Sequence, residues 1–86
     1  MRNFLFSPKA FEQYNEWQVE NKQVFNKLKK MIQEVARTPY EGSGNPEPLK
    51  YDYSGSWSRR ITDEHRLVYK ITDDLIEIVS CKFHYK

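Results

Sequence analysis

An 86-residue chain with a single cysteine has room for one apolar core, and it excludes a disulfide-stapled scaffold. Its 38% hydrophobic and 30% charged residues exclude a disordered chain, and 15% aromatics let a short sequence bury much area or stack on bases. The net charge of +2 is a mild cationic bias, compatible with a polyanionic partner without identifying one.

The opening Asn3-Phe4-Leu5-Phe6 reads as a short strand, and its apolar run is too short for a signal peptide or a membrane span. Together with the lone Cys81, which has no internal partner, this points to a reducing cytoplasm. Ser7-Pro8 signals a helix start: the serine caps, and proline fits the first position because its missing N–H costs nothing there. Ala10, Tyr14 and Trp17, with Phe11 beside them, mark the buried face expected of the first helix. Asn21 caps a second, whose stripe of Val24, Leu28, Met31, Ile32 and Val35 lies opposite Lys22, Lys27, Lys29 and Lys30. Pro39 ends it, since the residue before proline is pushed out of the helical region.

Residues 40–48 form a loop with two glycines and two prolines, after which the apolar period changes to two. Strands are expected around residues 50–53, 56–61, 65–71 and 75–85, the last split by a bend or bulge because eleven residues is long for one strand. Ser54-Gly55, Thr62-Asp63-Glu64 and Thr72-Asp73-Asp74 supply turns short enough for antiparallel neighbours. The expected fold is α+β, in one domain over 1–86: order β-α-α-β-β-β(β), with two helices on one face of a twisted sheet.

The residues able to do chemistry cluster in the second half. Glu47 sits between two prolines that restrict its backbone, and Lys50 follows. Alternation sends Arg59 and Arg60 to opposite faces of their strand, and separates His65 from Arg66. His84 and Tyr85 close the sequence before Lys86. A carboxylate, a guanidinium and an imidazole suit cleavage of an RNA phosphodiester by its own 2′-hydroxyl, as base, anion stabiliser and acid. Spacing alone favours plainer roles: a solvated loop charge for Glu47, a snorkelling strand residue for Arg66, a structural hydrogen bond for His65. His84 reads equally as a frayed surface residue, and Trp57 as core or as a partner's anchor. Two histidines and one cysteine are too few soft ligands for structural zinc, Asp73-Asp74 lacks calcium-loop spacing, and no phosphate-cradling glycine loop is present. No cofactor is expected.

Four stretches in order change this balance. Tyr40-Glu41-Gly42-Ser43-Gly44-Asn45-Pro46-Glu47-Pro48-Leu49-Lys50 resembles the E-G-x-G-x-P-E-P-L-K segment of the YoeB/Txe group in the RelE/ParE toxin superfamily. Ser54-Gly55-Ser56-Trp57-Ser58-Arg59-Arg60-Ile61 is similar to that group's S-G-x-W-S-R-R-I strand. Glu64-His65-Arg66-Leu67-Val68-Tyr69 and Cys81-Lys82-Phe83-His84-Tyr85 continue the likeness over essentially the whole chain. The resemblance implies a RelE-like microbial ribonuclease fold and a toxin that cuts mRNA in the ribosomal A site, leaving a 2′,3′-cyclic phosphate and a 5′-hydroxyl. It implies Glu47 as general base, His84 as general acid, Arg66 at the scissile phosphate, Tyr85 as a residue important for activity, and Lys50 and Arg60 around the substrate. It also implies a cognate antitoxin of the YefM/Axe kind, operator DNA bound only through the toxin–antitoxin complex, and the homodimers that relatives often form. Two other classes share the fold: a ParE-like topoisomerase poison, and an inactive module that binds RNA or antitoxin. Lys82 and Phe83 stand where the group often has Arg and Tyr, and Lys86 extends past its usual terminal His-Tyr.

Overall fold

A computed structural model describes residues 2–83. After β1 (Asn3–Phe6), Ser7 starts α1 (Pro8–Glu20): its hydroxyl accepts the Ala10 N–H at 3.0 Å and donates to the Val79 carbonyl at 2.9 Å. One serine therefore caps the helix and ties it to a strand 72 residues away. Asn21 accepts the N–H groups of Gln23 and Val24 to open α2 (Lys22–Arg37), which stops ahead of Pro39 as the sequence requires.

Of the stripe expected on α2, Leu28, Met31, Ile32 and Val35 are buried and Val24 is half-buried against them, and Phe25 and Ala36 join it. On α1 the register differs from expectation. Phe11 is 57% exposed, whereas Gln13 is buried, because its side chain accepts the Cys81 N–H at 2.7 Å. A polar residue can occupy the core-facing line when it satisfies a buried backbone donor there.

Among the described residues five strands follow the order β1-β5-β4-β3-β2. They are completed by β2 (Glu47–Pro48), β3 (Ser56–Arg60), β4 (Arg66–Ile71) and β5 (Leu75–Ser80). All neighbours are antiparallel except β1 and β5, which the two-helix crossover makes parallel. The expected strand at residues 50–53 is corrected: Glu47–Pro48 pairs with β3 instead, and Tyr51–Tyr53 forms a 3-10 turn. Proline is tolerated in β2 because this is an edge strand with no outer partner among the described residues. The expected irregularity in the last strand is found. Val68 pairs with Ser80 and Tyr69 with Ile78, so Val79 bulges, and β5 ends at Ser80 rather than running on.

Both helices lie on one face of the sheet and share its core. Leu28, Met31 and Val35 pack with Leu67, Tyr69, Ile76 and Ile78. Directly paired residues share a face, so the register sorts the side chains without further assumption. Trp57, Arg59, Leu67 and Tyr69 face the helices; Ser58, Arg60, Arg66 and Val68 face away, and Glu47, paired with Ser58, joins this second set.

Candidate active site

The helix-free face brings together three of the residues singled out in the sequence. Glu47 stands opposite Ser58, Ser58 opposite Val68, and Arg60 opposite Arg66, so the carboxylate and two guanidinium groups occupy adjacent rungs of three strands. They line one small cleft of about 50 Å³, with Gly44, Asn45 and Ser58. Lys50 is placed elsewhere: it lines a second, larger cleft that shares Glu47 as a wall. His84 and Tyr85 lie outside the described residues.

Arg66 is held by its own turn. Its Nη1 donates to the carbonyls of Thr62, His65 and Asp63 at 2.8, 3.1 and 3.2 Å, while Thr62 Oγ1 accepts the N–H groups of Glu64 and His65. Among the described residues no carboxylate pairs with Arg66, and Nη1 is the side-chain nitrogen that makes its hydrogen bonds to them. An oriented, uncompensated guanidinium beside a carboxylate suits a phosphate diester, which takes two parallel N–H donors. Arg60 is looser, its only described ion pair being a long contact of 3.9 Å with Asp63.

The loop that carries Glu47 is fixed from the other face by Arg59, which the alternation placed there but whose role the sequence did not reveal. Arg59 is 0% exposed. Its Nε donates to Tyr69 Oη at 3.0 Å, its Nη1 to Glu34 and to the Ser43 carbonyl, and its Nη2 to the carbonyls of Thr38 and Glu41. Tyr69 Oη in turn donates to the Pro39 carbonyl at 2.8 Å. All five guanidinium donors are therefore used, which is the condition for burying this charge. Glu34 also accepts the Ser43 N–H and hydroxyl at 2.8 and 2.7 Å; the Ser43 hydroxyl does most to hold its carboxyl below the ordinary value of 4.5, with burial opposing and Arg59 assisting. Glycine is required at two points in this loop. A Cβ on Gly42 (φ +129°) would stand 2.6 Å from Glu34 Oε1, and one on Gly44 (φ +79°) 2.8 Å from the Arg60 carbonyl. The visible signal for Arg59 was an arginine on the same face as Trp57 and Ile61.

The segment leading to the end of the chain is anchored as strongly. Trp17 Nε1 donates to the Cys81 carbonyl at 2.8 Å, and Lys82 Nζ bridges Glu16 and Glu20 at 3.0 Å each. His65 has the structural role that spacing favoured. Its Nδ1 accepts the Phe83 N–H at 2.8 Å, its ring meets Trp17 edge-on at 4.7 Å, and the Arg66 N–H donates to the Phe83 carbonyl at 3.1 Å. Phe83, immediately before His84 in sequence, is thus tied to the start of the strand that carries Arg66. Burial pushes the Cys81 thiol up to about 12, with Glu16 adding to the effect, which keeps it in the protonated thiol form. Trp57 joins the core's edge and meets Tyr40 at 5.1 Å. Among the described residues no group of three His, Cys, Asp or Glu side chains could hold a metal ion, and no helix is long and apolar enough to cross a membrane.

A family model described as the YoeB-like toxin of bacterial type II toxin–antitoxin systems matches residues 6–85. The chain belongs to that family. Toxin YoeB of Escherichia coli K12 is 48% identical over 81 residues, spanning 94% of this chain and 96% of that protein. The YoeB dimer of Staphylococcus aureus superposes with a TM-score of 0.90 at 45% identity, covering 98% of each chain. The YoeB–YefM complex of the same organism gives 0.88 at 45%, covering 99% of each. The RelE-like fold expected from the sequence is therefore the observed one, and this YoeB-like chain is a toxin of the type II toxin–antitoxin class.

Proposed function

We propose that this YoeB-like toxin is an endoribonuclease that cuts messenger RNA in the ribosomal A site by side-chain acid–base catalysis. The observation that carries the reading is the convergence of Glu47, Arg60 and Arg66 on one cleft of about 50 Å³. In the reaction, the Glu47 carboxylate takes the proton of the 2′-hydroxyl as that oxygen attacks phosphorus. Arg66, assisted by Arg60, offsets the charge growing on the non-bridging oxygens. The P–O5′ bond breaks, and His84, protonated, gives its proton to the leaving 5′-oxygen. The products are a 2′,3′-cyclic phosphate and a 5′-hydroxyl, with all protons accounted for. Tyr85 contributes beside His84, and Lys50 contacts the RNA backbone next to the cleft.

The partners follow from the same reading. A YefM/Axe-like antitoxin neutralises the toxin, as the S. aureus relative forms a complex with YefM. Operator DNA is reached only through that complex. The toxin folds as one domain over 1–86, acts in the cytoplasm without a cofactor, and pairs as a homodimer, as an S. aureus relative does.

Primer extension on ribosome-bound message tests the reading. Discrete cuts within the A-site codon are expected from the wild type and are expected to vanish in Glu47→Gln and His84→Ala, both folded. Cleavage that persists in both variants overturns the assignment. Growth arrest that begins with DNA damage, without cuts, transfers the protein to topoisomerase poisoning.

A further inference from the structure

We propose that the cleft beside the phosphate site, walled by the turn at Tyr51–Tyr53, is a nucleobase subsite in which the Tyr51 ring stacks on a base adjoining the scissile phosphate. The inference rests on the nuclease reading and adds to it the place where the RNA strand is gripped.

Tyr51 is an unusual residue in an unusual conformation. Its φ of +59° lies in the left-handed region, which costs stability for any residue with a Cβ and is commonly filled by glycine or asparagine. Its ring recovers none of that cost by burial, being 91% exposed. The turn itself needs no ring, for it is closed by backbone bonds from Tyr53 N–H to the Lys50 carbonyl and from Ser54 N–H to the Tyr51 carbonyl. A strained tyrosine whose backbone makes the turn but whose solvent-facing ring adds nothing to it is a residue whose ring has an external partner.

The space beside it fits a base. The cleft measures about 390 Å³ and is lined by Pro48, Leu49, Lys50, Tyr51, Asp52 and Tyr53. Glu47 belongs to both this cleft and the one it shares with Arg66, so a strand with its phosphate at the arginines has a flanking base beside Tyr51. The Lys50 ammonium in that lining meets the backbone charge of the same strand. The occupant is therefore an unpaired nucleobase of the RNA substrate, held by its flat face.

The test uses the full chain on programmed ribosomes, with Tyr51→Phe, Tyr51→Ala and Tyr51→Gly. Tyr51→Phe keeps the ring and is expected to match the wild type. Tyr51→Ala and Tyr51→Gly are each expected to raise KM on the order of tenfold, with kcat at saturating ribosomes within about twofold. Glycine suits the left-handed backbone, so Tyr51→Gly is expected to melt no lower than the wild type, separating the ring from the fold. An unchanged KM in both variants overturns the subsite; so does a defect in Tyr51→Ala that Tyr51→Gly repairs, since that would be a backbone effect. A second measurement is independent of cleavage: titrating wild-type protein with adenosine monophosphate is expected to move the Tyr51 ring protons upfield. If the wild type cuts no message, the nuclease reading fails while this titration still decides the base site; no shift at millimolar nucleotide overturns it.

Discussion

Arg59 and Arg66 stand on neighbouring rungs of β3 and β4, and the fold treats them in opposite ways. Arg59 faces the helices, is fully buried and has every donor taken by Tyr69, Glu34 and three loop carbonyls. Arg66 faces away and is steered through one nitrogen by turn carbonyls, with no hydrogen bond from its other side-chain nitrogens to the described residues. A charge whose valences the protein fills is a structural part; one that is aimed but unfilled is a binding part. The two are linked, because the loop that Arg59 holds delivers Gly44, Asn45 and Glu47 to the cleft where Arg66 waits.

Substitution is expected to separate the two roles. Arg66→Ala should lower the cleavage rate by at least about a hundredfold while shifting stability by no more than about 0.5 kcal/mol, measured by single-turnover cleavage and chemical denaturation. Arg59→Ala should destabilise the fold by about 3–5 kcal/mol, because it strands Glu34, the Tyr69 hydroxyl and the loop carbonyls. A stable, folded Arg59→Ala with an intact cleft would break the contrast.

The chain's end extends the comparison. His65→Phe removes the acceptor for the Phe83 N–H but keeps a ring against Trp17, and should slow cleavage roughly ten- to a hundredfold. His65→Asn, whose amide oxygen can replace Nδ1, should restore most of the rate. Faster hydrogen exchange at the Phe83 amide in His65→Phe alone would confirm the contact, and equal rates in both variants would dismiss it.

A smaller effect is expected from pH. The folded-state value of Glu34 lies below its ordinary 4.5, so its contribution is complete above that range and fades as pH falls through the folded value. Denaturation of the wild type should therefore show a loss of stability on acidification below 4.5 that Glu34→Gln lacks. The smallest effect should be at Cys81, whose buried thiol, raised to about 12, should react with a thiol reagent only after unfolding.

Much of this was legible in the sequence, for identifiable reasons. Capping is local chemistry, so Ser7-Pro8 and Asn21 gave both helix starts, and alternation sent Arg59 and Arg60 to opposite faces. What escaped depends on distant partners. Gln13 is buried only because the backbone of Cys81 arrives beside it, and Phe11 is displaced accordingly. The strand expected at residues 50–53 moved to Glu47–Pro48 because the left-handed Tyr51 turns the chain, while an edge position admits the proline. Arg59 was visible as a polar intruder on an apolar face. Its cage was not, since the acceptors come from α2, from residues 38–43 and from β4.

The claim that Glu47 and His84 act as base and acid around a phosphate oriented by Arg66 is tested most directly with a sulfur leaving group. A message carrying one 5′-bridging phosphorothiolate in the A-site codon has a leaving group that needs no proton. His84→Ala is expected to cut this message at close to the wild-type rate, while Glu47→Gln stays inactive on it. Rescue of Glu47→Gln, or no rescue of His84→Ala, would contradict the assignment.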